Sequence, residues 1–167
     1  MPMSSSPEIF DNSIKAWFKD MTNYDLSLMK FAFKAASEMA AALNLNDEAV
    51  HWEKVGKQLP AFDLYKEGSL TFAKGFPYNE SHRHFSHAMA IHPLGLLDYS
   101  QGEESQQIIN ATLKRMQEVG PDWWCGYSYS WFGNMKARAF DGEGAAQTLK
   151  TFAECFCLPL SLIHISE

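Results

Sequence analysis

The most regular stretch of the chain runs from Asn23 to Leu43, where Leu26, Met29, Phe33, Ala36, Met39, Ala40 and Leu43 follow one another mostly at steps of three and four. That spacing predicts an amphipathic helix with one buried stripe. Asn46 and Asp47 offer capping groups for a second helix through Val50, Trp52, Val55 and Leu59, which Pro60 ends. Two helices joined by so short a link form an antiparallel hairpin. Residues 61–80 hold Gly68, Gly75 and Pro77 among aromatics and keep neither period, so they read as a long ordered loop.

A short helix is predicted over His84 to Ile91, because the residue before Pro93 is pushed out of the α region. From Glu104 to Val119, Ile108, Ile109, Leu113 and Met116 repeat at helical spacing until Gly120 and Pro121 close the segment. Tyr127 to Phe140 and Gly144 to Cys157 read as two more helices about an Asp141-Gly142 turn. Strand alternation with hairpin turns is not evident. The fold class is therefore all-α, built of antiparallel helix pairs. A bundle, a superhelical repeat array and an α/α toroid all fit, but the chain lacks the recurring period of about 34 or 40 residues that a repeat array needs. The long loop and the concentration of aromatics favour the toroid.

Composition narrows the functional classes. The chain has 167 residues, 46% apolar and 14% aromatic, enough for the packed core of one domain. Its net charge is −6 and its Lys and Arg are scattered, which argues against a nucleic-acid partner. No run approaches the roughly 20 apolar residues that span a bilayer, and the first ten residues lack the pattern of a signal peptide, so no membrane partner is expected. Cys125, Cys155 and Cys157 are odd in number, and the last two lie too close for an ordinary bridge. They read as buried thiols. A Cys-x-Cys pair can bind metal, but no second pair follows at zinc spacing.

The densest polar cluster is Glu80-Ser81-His82-Arg83-His84-Phe85-Ser86-His87, with His92 just before Pro93. Neutral imidazoles could ligate a metal, yet the His-Glu-x-x-His pattern is absent, and no metal or other cofactor is expected. The histidines could also serve only as caps and backbone partners. The reading preferred here is recognition of a polar ligand, and a sugar suits it best: apolar ring faces want flat aromatics, and hydroxyl rims want His, Arg and carboxylate groups. Asp122-Trp123-Trp124-Cys125-Gly126-Tyr127-Ser128-Tyr129-Ser130-Trp131 supplies aromatics at the start of a predicted helix. Trp124, Tyr127 and Trp131 lie at helical spacing, so core and ligand face remain equal readings for them.

These residues carry a resemblance. His82-Arg83-His84-Phe85-Ser86-His87 with His92-Pro93 resembles the H-R-H-x-S-H…Y-P segment of glycoside hydrolase family 95, the 1,2-α-L-fucosidase family. Gly126-Tyr127-Ser128, Trp131, Ala137-Arg138 and Asp141-Gly142 resemble its G-W-S-x-A-W…A-R-L-x-D-G stretch. Ser6-Pro7-Glu8 resembles its S-P-E motif, and Leu59-Pro60…Gly68-Ser69-Leu70 its L-P…G-x-L segment. Motifs in the family's order are more specific than any one alone, and they cover the chain from Ser5 to about Pro159. The sequence departs at Tyr127 and His92, where the family has Trp and Tyr, and at Asn23-Tyr24-Asp25, where it has Thr-Met-Asp. An α-L-galactosyl substrate therefore stands beside an α-L-fucosyl one.

The resemblance implies part of the (α/α)6 barrel of an inverting exo-glycosidase, over residues 1–159 and truncated at both ends. Glu8 matches the general acid. Without the resemblance Glu8 would be read as a solvated first-turn residue after Pro7. His82, Arg83, His84, His87, Trp124, Tyr127 and Trp131 would bind substrate. The family's base falls beyond the last residue, and Asp141 is its in-chain competitor, although Asp-Gly more often makes a turn. The asparagines that orient water precede residue 1. Such a fragment is expected to be inactive alone and to need the remainder of its own polypeptide, whose parent would be exported to meet glycans. Residues 160–167 resemble read-through rather than family sequence, and are set aside as a non-native tail. The rival reading, a non-catalytic helical scaffold or protein-binding module, uses the aromatic stripes and no carboxylate.

Overall fold

Five helices make up about half of the described residues in the computed structural model, which describes residues 3–157. The helices are α1 (Asn23–Ala42), α2 (Asn46–Lys57), α3 (Glu103–Val119), α4 (Gly126–Arg138) and α5 (Gly142–Phe156). The fold class is all-α, as the periodicity predicts, with α1 packed on α2 and α4 packed on α5 as consecutive pairs. The expected tail at residues 160–167 lies outside the described residues.

Helix starts and stops follow local chemistry, with one exception. Thr22 caps α1, its hydroxyl accepting from Asp25 N–H at 3.2 Å, and Asp141 caps α5 by accepting from Gly144 N–H at 2.9 Å. Gly120 ends α3 with φ 87°, a conformation that costs a residue with a Cβ and costs glycine little. The exception is α2, whose N-cap is Leu45 with no side-chain bond, so the expected Asn46 and Asp47 cap does not form. Those residues lie one position too late and contribute acidic charge to the first turn instead.

Two short hairpin pairings escape the sequence patterns because strands of two or three residues cannot display alternation. Strand β1 (Ser4–Ser5) pairs antiparallel with β2 (Trp17–Phe18), and β3 (Thr71–Ala73) pairs with β4 (Phe76–Pro77) inside the expected loop. Asn23 ties that loop to α1. Its side-chain amide donates to the carbonyls of Asp63 and Thr71 at 2.8 and 2.9 Å, and its carbonyl accepts from Asp63 N–H at 3.0 Å.

The segment after the histidine cluster is not the predicted helix. Only a 3-10 turn forms, at Ser86–Ala88. The carbonyls of Met89 and Ala90 accept from Leu94, Leu96 and Leu97, beyond Pro93, so they leave no helical ladder to extend. This stretch crosses the core with Phe85, Ala88 and Ile91 fully buried. They pack with Leu70, Phe72 and Tyr78 from the loop, Ile109, Leu113 and Met116 from α3, and Phe132 and Met135 from α4.

The α1 stripe is buried at Leu26, near its start, and at Ala40, but not along its whole length. Leu26 is sealed, whereas Met39 and Leu43 are 65% and 68% exposed, because past its first turns α1 packs mainly on α2, which itself buries no residue. Helix α5 likewise buries none of its own residues. Cys155 there is exposed, and Cys125 and Cys157 are half-buried, so the buried-thiol expectation does not hold.

Candidate active site

Glu8 sits just past β1, and the backbone around it is contorted. Glu8, Phe10 and Asp11 have φ values of 56°, 48° and 52°, in the left-handed region that residues with a Cβ rarely adopt. Three such residues in four positions are held only where surrounding structure dictates it. Here the restraints come from the histidine segment. Ser6 Oγ meets Ser86 Oγ at 2.5 Å, and His82 Nε2 donates to the Glu8 carbonyl at 3.2 Å. With its proton on Nε2, the His82 ring can also accept the His84 N–H at Nδ1, 3.1 Å away.

Three consecutive side chains thus wrap Glu8. His82 grips its main chain, and Arg83 and His84 grip its carboxylate. Oε2 accepts from Arg83 Nε at 3.0 Å and Nη2 at 2.6 Å, and from His84 Nε2 at 2.5 Å. Partial desolvation would raise the Glu8 pKa, but the hydrogen bonds and charges of Arg83 and His84 together outweigh it and hold the carboxyl below its usual range. His84 moves down as well, mainly through its own desolvation and despite Glu8. The pair is therefore a carboxylate accepting from a neutral imidazole.

Helix α4 supplies the far wall. Its first turn carries Tyr127, whose hydroxyl lies 2.9 and 3.0 Å from the two ring nitrogens of His84. With Nε2 committed to Glu8, Nδ1 is the available acceptor. Ser128 Oγ donates to the Arg83 carbonyl at 2.7 Å and accepts from Cys125 N–H at 3.1 Å, so the start of α4 is locked to the histidine segment. Tyr78 braces the other side, donating through its hydroxyl to the His82 carbonyl and accepting from His82 N–H and the Trp124 indole. Sequence reasoning passed over Ser6, Tyr78 and Ser128 as site residues. Ser128 falls within the Gly-Tyr-Ser motif and could have been found there, whereas Tyr78 has no signal beyond being aromatic.

The remaining expected site residues are placed elsewhere. His87 lies beneath the cluster at 0% exposure, its ring stacked on Tyr78 with centroids 4.8 Å apart and an equal distance from Phe72. Among the described residues it has no hydrogen-bond partner, and burial pushes its pKa down to about 3. Trp124 packs on Phe85 and Phe132, and Trp131 packs on Phe85 while its indole donates to the His92 carbonyl at 2.8 Å. Of the three aromatics at helical spacing, then, Tyr127 faces the polar cluster and the two tryptophans build the wall behind it.

Asp141 is engaged as the α5 cap and as the partner of Lys136 Nζ at 2.7 Å, and those contacts lower its pKa. It follows the C-terminal end of α4, whereas Tyr127 lies at the N-terminal end. The helical rise from Tyr127 to the end of α4 at Arg138 separates them by roughly 16 Å. A recess of about 510 Å³ between α1 and α2, lined by Phe33, Trp52, Lys30 and Lys34, does not include Glu8. Size alone does not make it the site, because its acids, Glu38 and Glu53, are engaged in exposed i,i+4 ion pairs with Lys34 and Lys57 along single helices. Among the described residues no group of His, Cys, Asp and Glu is arranged to hold a metal ion, and no helix is long and apolar enough to cross a membrane.

The model of the glycosyl hydrolase family 95 catalytic domain matches residues 1–161. The chain belongs to this family. It is also similar to a curated protein named alpha-L-fucosidase 2 from Arabidopsis thaliana, with 27% identity over 125 residues. That alignment takes in 72% of this chain and 14% of the relative, so this family 95 chain spans a small part of the relative's length.

Proposed function

We propose that this family 95 chain is the acid-bearing portion of an inverting exo-glycosidase that hydrolyses α-L-fucosyl, or related α-L-galactosyl, linkages in glycans. The observation that carries the reading is a half-exposed carboxylate, Glu8, fixed by Arg83, His84 and His82 and backed by Tyr127. The family membership and the name of the Arabidopsis relative point to the same chemistry.

In this reading Glu8 delivers a proton to the leaving oxygen while a second carboxylate activates water. Arg83, His84 and Tyr127 present donors and acceptors to sugar hydroxyls, and His82 fixes the main chain under the acid. Inversion needs roughly 6.5–9.5 Å between the carboxyl groups, which Asp141 at the other end of α4 does not satisfy. The base is then supplied by the remainder of the polypeptide, and the 167-residue chain alone is inactive.

The test is hydrolysis of 2′-fucosyllactose by the full-length parent, followed by NMR of the released anomer, with Glu8→Gln alongside. Release with inversion that falls about 10²–10⁴-fold in the variant supports the proposal. Release from another α-linked sugar would keep the reaction and replace the substrate. No hydrolysis of any glycan would favour a scaffold role, for which the uncovered faces of α1 and α2 are the supporting observation.

A further inference from the structure

Oε2 of Glu8 is the target of N–H groups from Arg83 Nε, Arg83 Nη2 and His84 Nε2, at 3.0, 2.6 and 2.5 Å. An oxygen so surrounded acts as an acceptor and has no direction left in which to carry a hydrogen of its own. His84 can yield, because an imidazole nitrogen can lose its proton and then accept. Arg83 cannot, because a guanidinium keeps all its protons. The geometry therefore holds Oε2 as an acceptor beside a permanent positive charge, which disfavours a proton on either carboxyl oxygen, whereas protonation of a leaving oxygen needs a protonated Glu8.

We infer that Arg83 is a latch on Glu8: sugar binding draws the guanidinium off the carboxylate and onto substrate hydroxyls, and only then does Glu8 act as a proton donor. This rests on the general-acid reading above and adds a control step to it. The structure gives the latch a hinge. The Arg83 side chain is 53% exposed, while its main-chain carbonyl is anchored by Ser128 Oγ, so the side chain can swing without moving the peptide. Glu8 itself stays in place through the His82 contact to its carbonyl. Arg83 is thus a positioning residue acting through Glu8.

The proton balance is simple. With Arg83 on the sugar, the Glu8 carboxylate takes a proton from solvent. Its O–H bond then breaks as that proton moves to the glycosidic oxygen, the C–O bond cleaves with its electron pair on that oxygen, and water bonds to the anomeric carbon from the opposite face as the second carboxylate takes its proton. Glu8 returns to a carboxylate, and product release lets Arg83 close again. The other groups facing this pair are His82, His84, Tyr127 and the Cys125 thiol beside Tyr127, and all stay constant when only Arg83 is changed.

The experiment is the pH dependence of 2′-fucosyllactose hydrolysis by the full-length parent as wild type, Arg83→Gln, Arg83→Lys and Glu8→Gln. The profile of kcat/KM follows the unliganded enzyme, and that of kcat follows the complex. In wild type the alkaline limb of kcat should extend to higher pH than that of kcat/KM. In Arg83→Gln the kcat/KM limb should move up, raising the ratio of alkaline to acid values by about fivefold, the scale of one partly exposed ion pair. Arg83→Lys should move it less in the same direction, and reads the effect if the Gln variant fails to fold. Coincident limbs in wild type, or a limb that stays put in the folded variants, overturns the latch. If Glu8→Gln is inactive while the Arg83 variants do not move the limb, only the latch falls. If Glu8→Gln remains fully active, the general-acid reading fails and the latch fails with it.

Discussion

His87 makes the clearest quantitative prediction because nothing compensates its burial. The ring is at 0% exposure between Tyr78 and Phe72, and neither nitrogen has a hydrogen-bond partner among the described residues. Folding therefore holds it neutral, with a pKa near 3 against an ordinary value of 6.5. The unfolded chain binds this proton below about pH 6.5, and the folded chain does not until near pH 3. The contribution is thus fully present above the unfolded value and is lost as pH falls through that window. Each pH unit costs about 1.4 kcal/mol, so the fall from pH 7 to pH 5 removes about 2 kcal/mol through this residue alone. His87→Phe keeps an aromatic ring in the stack and removes the titration. Any repacking cost of the larger ring, about 1–3 kcal/mol, is independent of pH. Urea unfolding at pH 7 and pH 5 should show the wild-type chain losing about 2 kcal/mol more than the variant over that interval. Equal losses in the two proteins would refute the claim that His87 is buried neutral. His84 and His92, whose pKa values are also lowered mainly by desolvation, are common to both proteins and cancel in the comparison.

Other consequences of the packing can be measured in the same way. Asn23→Ala removes the partner of the Asp63 N–H and of the Thr71 carbonyl, while the Asp63 carbonyl keeps the Thr71 N–H and hydroxyl, and should cost about 2 kcal/mol in denaturant unfolding. Asp141→Ala removes the α5 cap and leaves Lys136, whose side chain is 11% exposed, without its carboxylate; a loss of about 2 kcal/mol is expected by the same method. Because Met39, Leu43, Val50 and Leu149 stand exposed on the two helix pairs, the 167-residue chain should bind a hydrophobic dye and tend to self-associate, and a stable monomer that binds no dye would contradict this.

Most of the helices were legible because apolar periodicity is a local property, and each of the five lies within a few residues of its predicted span. What the sequence does not carry is which part of a stripe will meet a partner. The α1 pattern from Leu26 to Leu43 is continuous, yet only its first turns contact the core, since burial depends on where α2 and the loop after it come to rest. The stretch 84–91 failed for a related reason. Its local composition suits a helix stopped by Pro93, but the carbonyls of Met89 and Ala90 find N–H partners past that proline, and a tertiary arrangement overrides the local preference.

The site was legible at a different level. Glu8 and the histidine segment lie more than 70 residues apart, and only the motif resemblance brought them into one hypothesis; the structure joins them at hydrogen-bond distance. Within the segment, a bend at Arg83 and the 3-10 turn at Ser86–Ala88 let His82, Arg83 and His84 reach Glu8 and turn Phe85 and His87 into the core, a division no composition argument can make. The sealed His87 and Phe85 anchor the segment from below, and Tyr78 and Ser128 clamp its carbonyls from either side. The three residues above are thereby held at fixed height around one carboxylate. A substitution at His87 should consequently disturb more than stability. If the anchoring argument is right, a small residue there, as in His87→Ala, should loosen the Arg83 and His84 contacts to Glu8 and lower turnover in the full-length parent, whereas His87→Phe should preserve it. Equal activity of the two variants would show that the outer contacts hold the segment without help from the core.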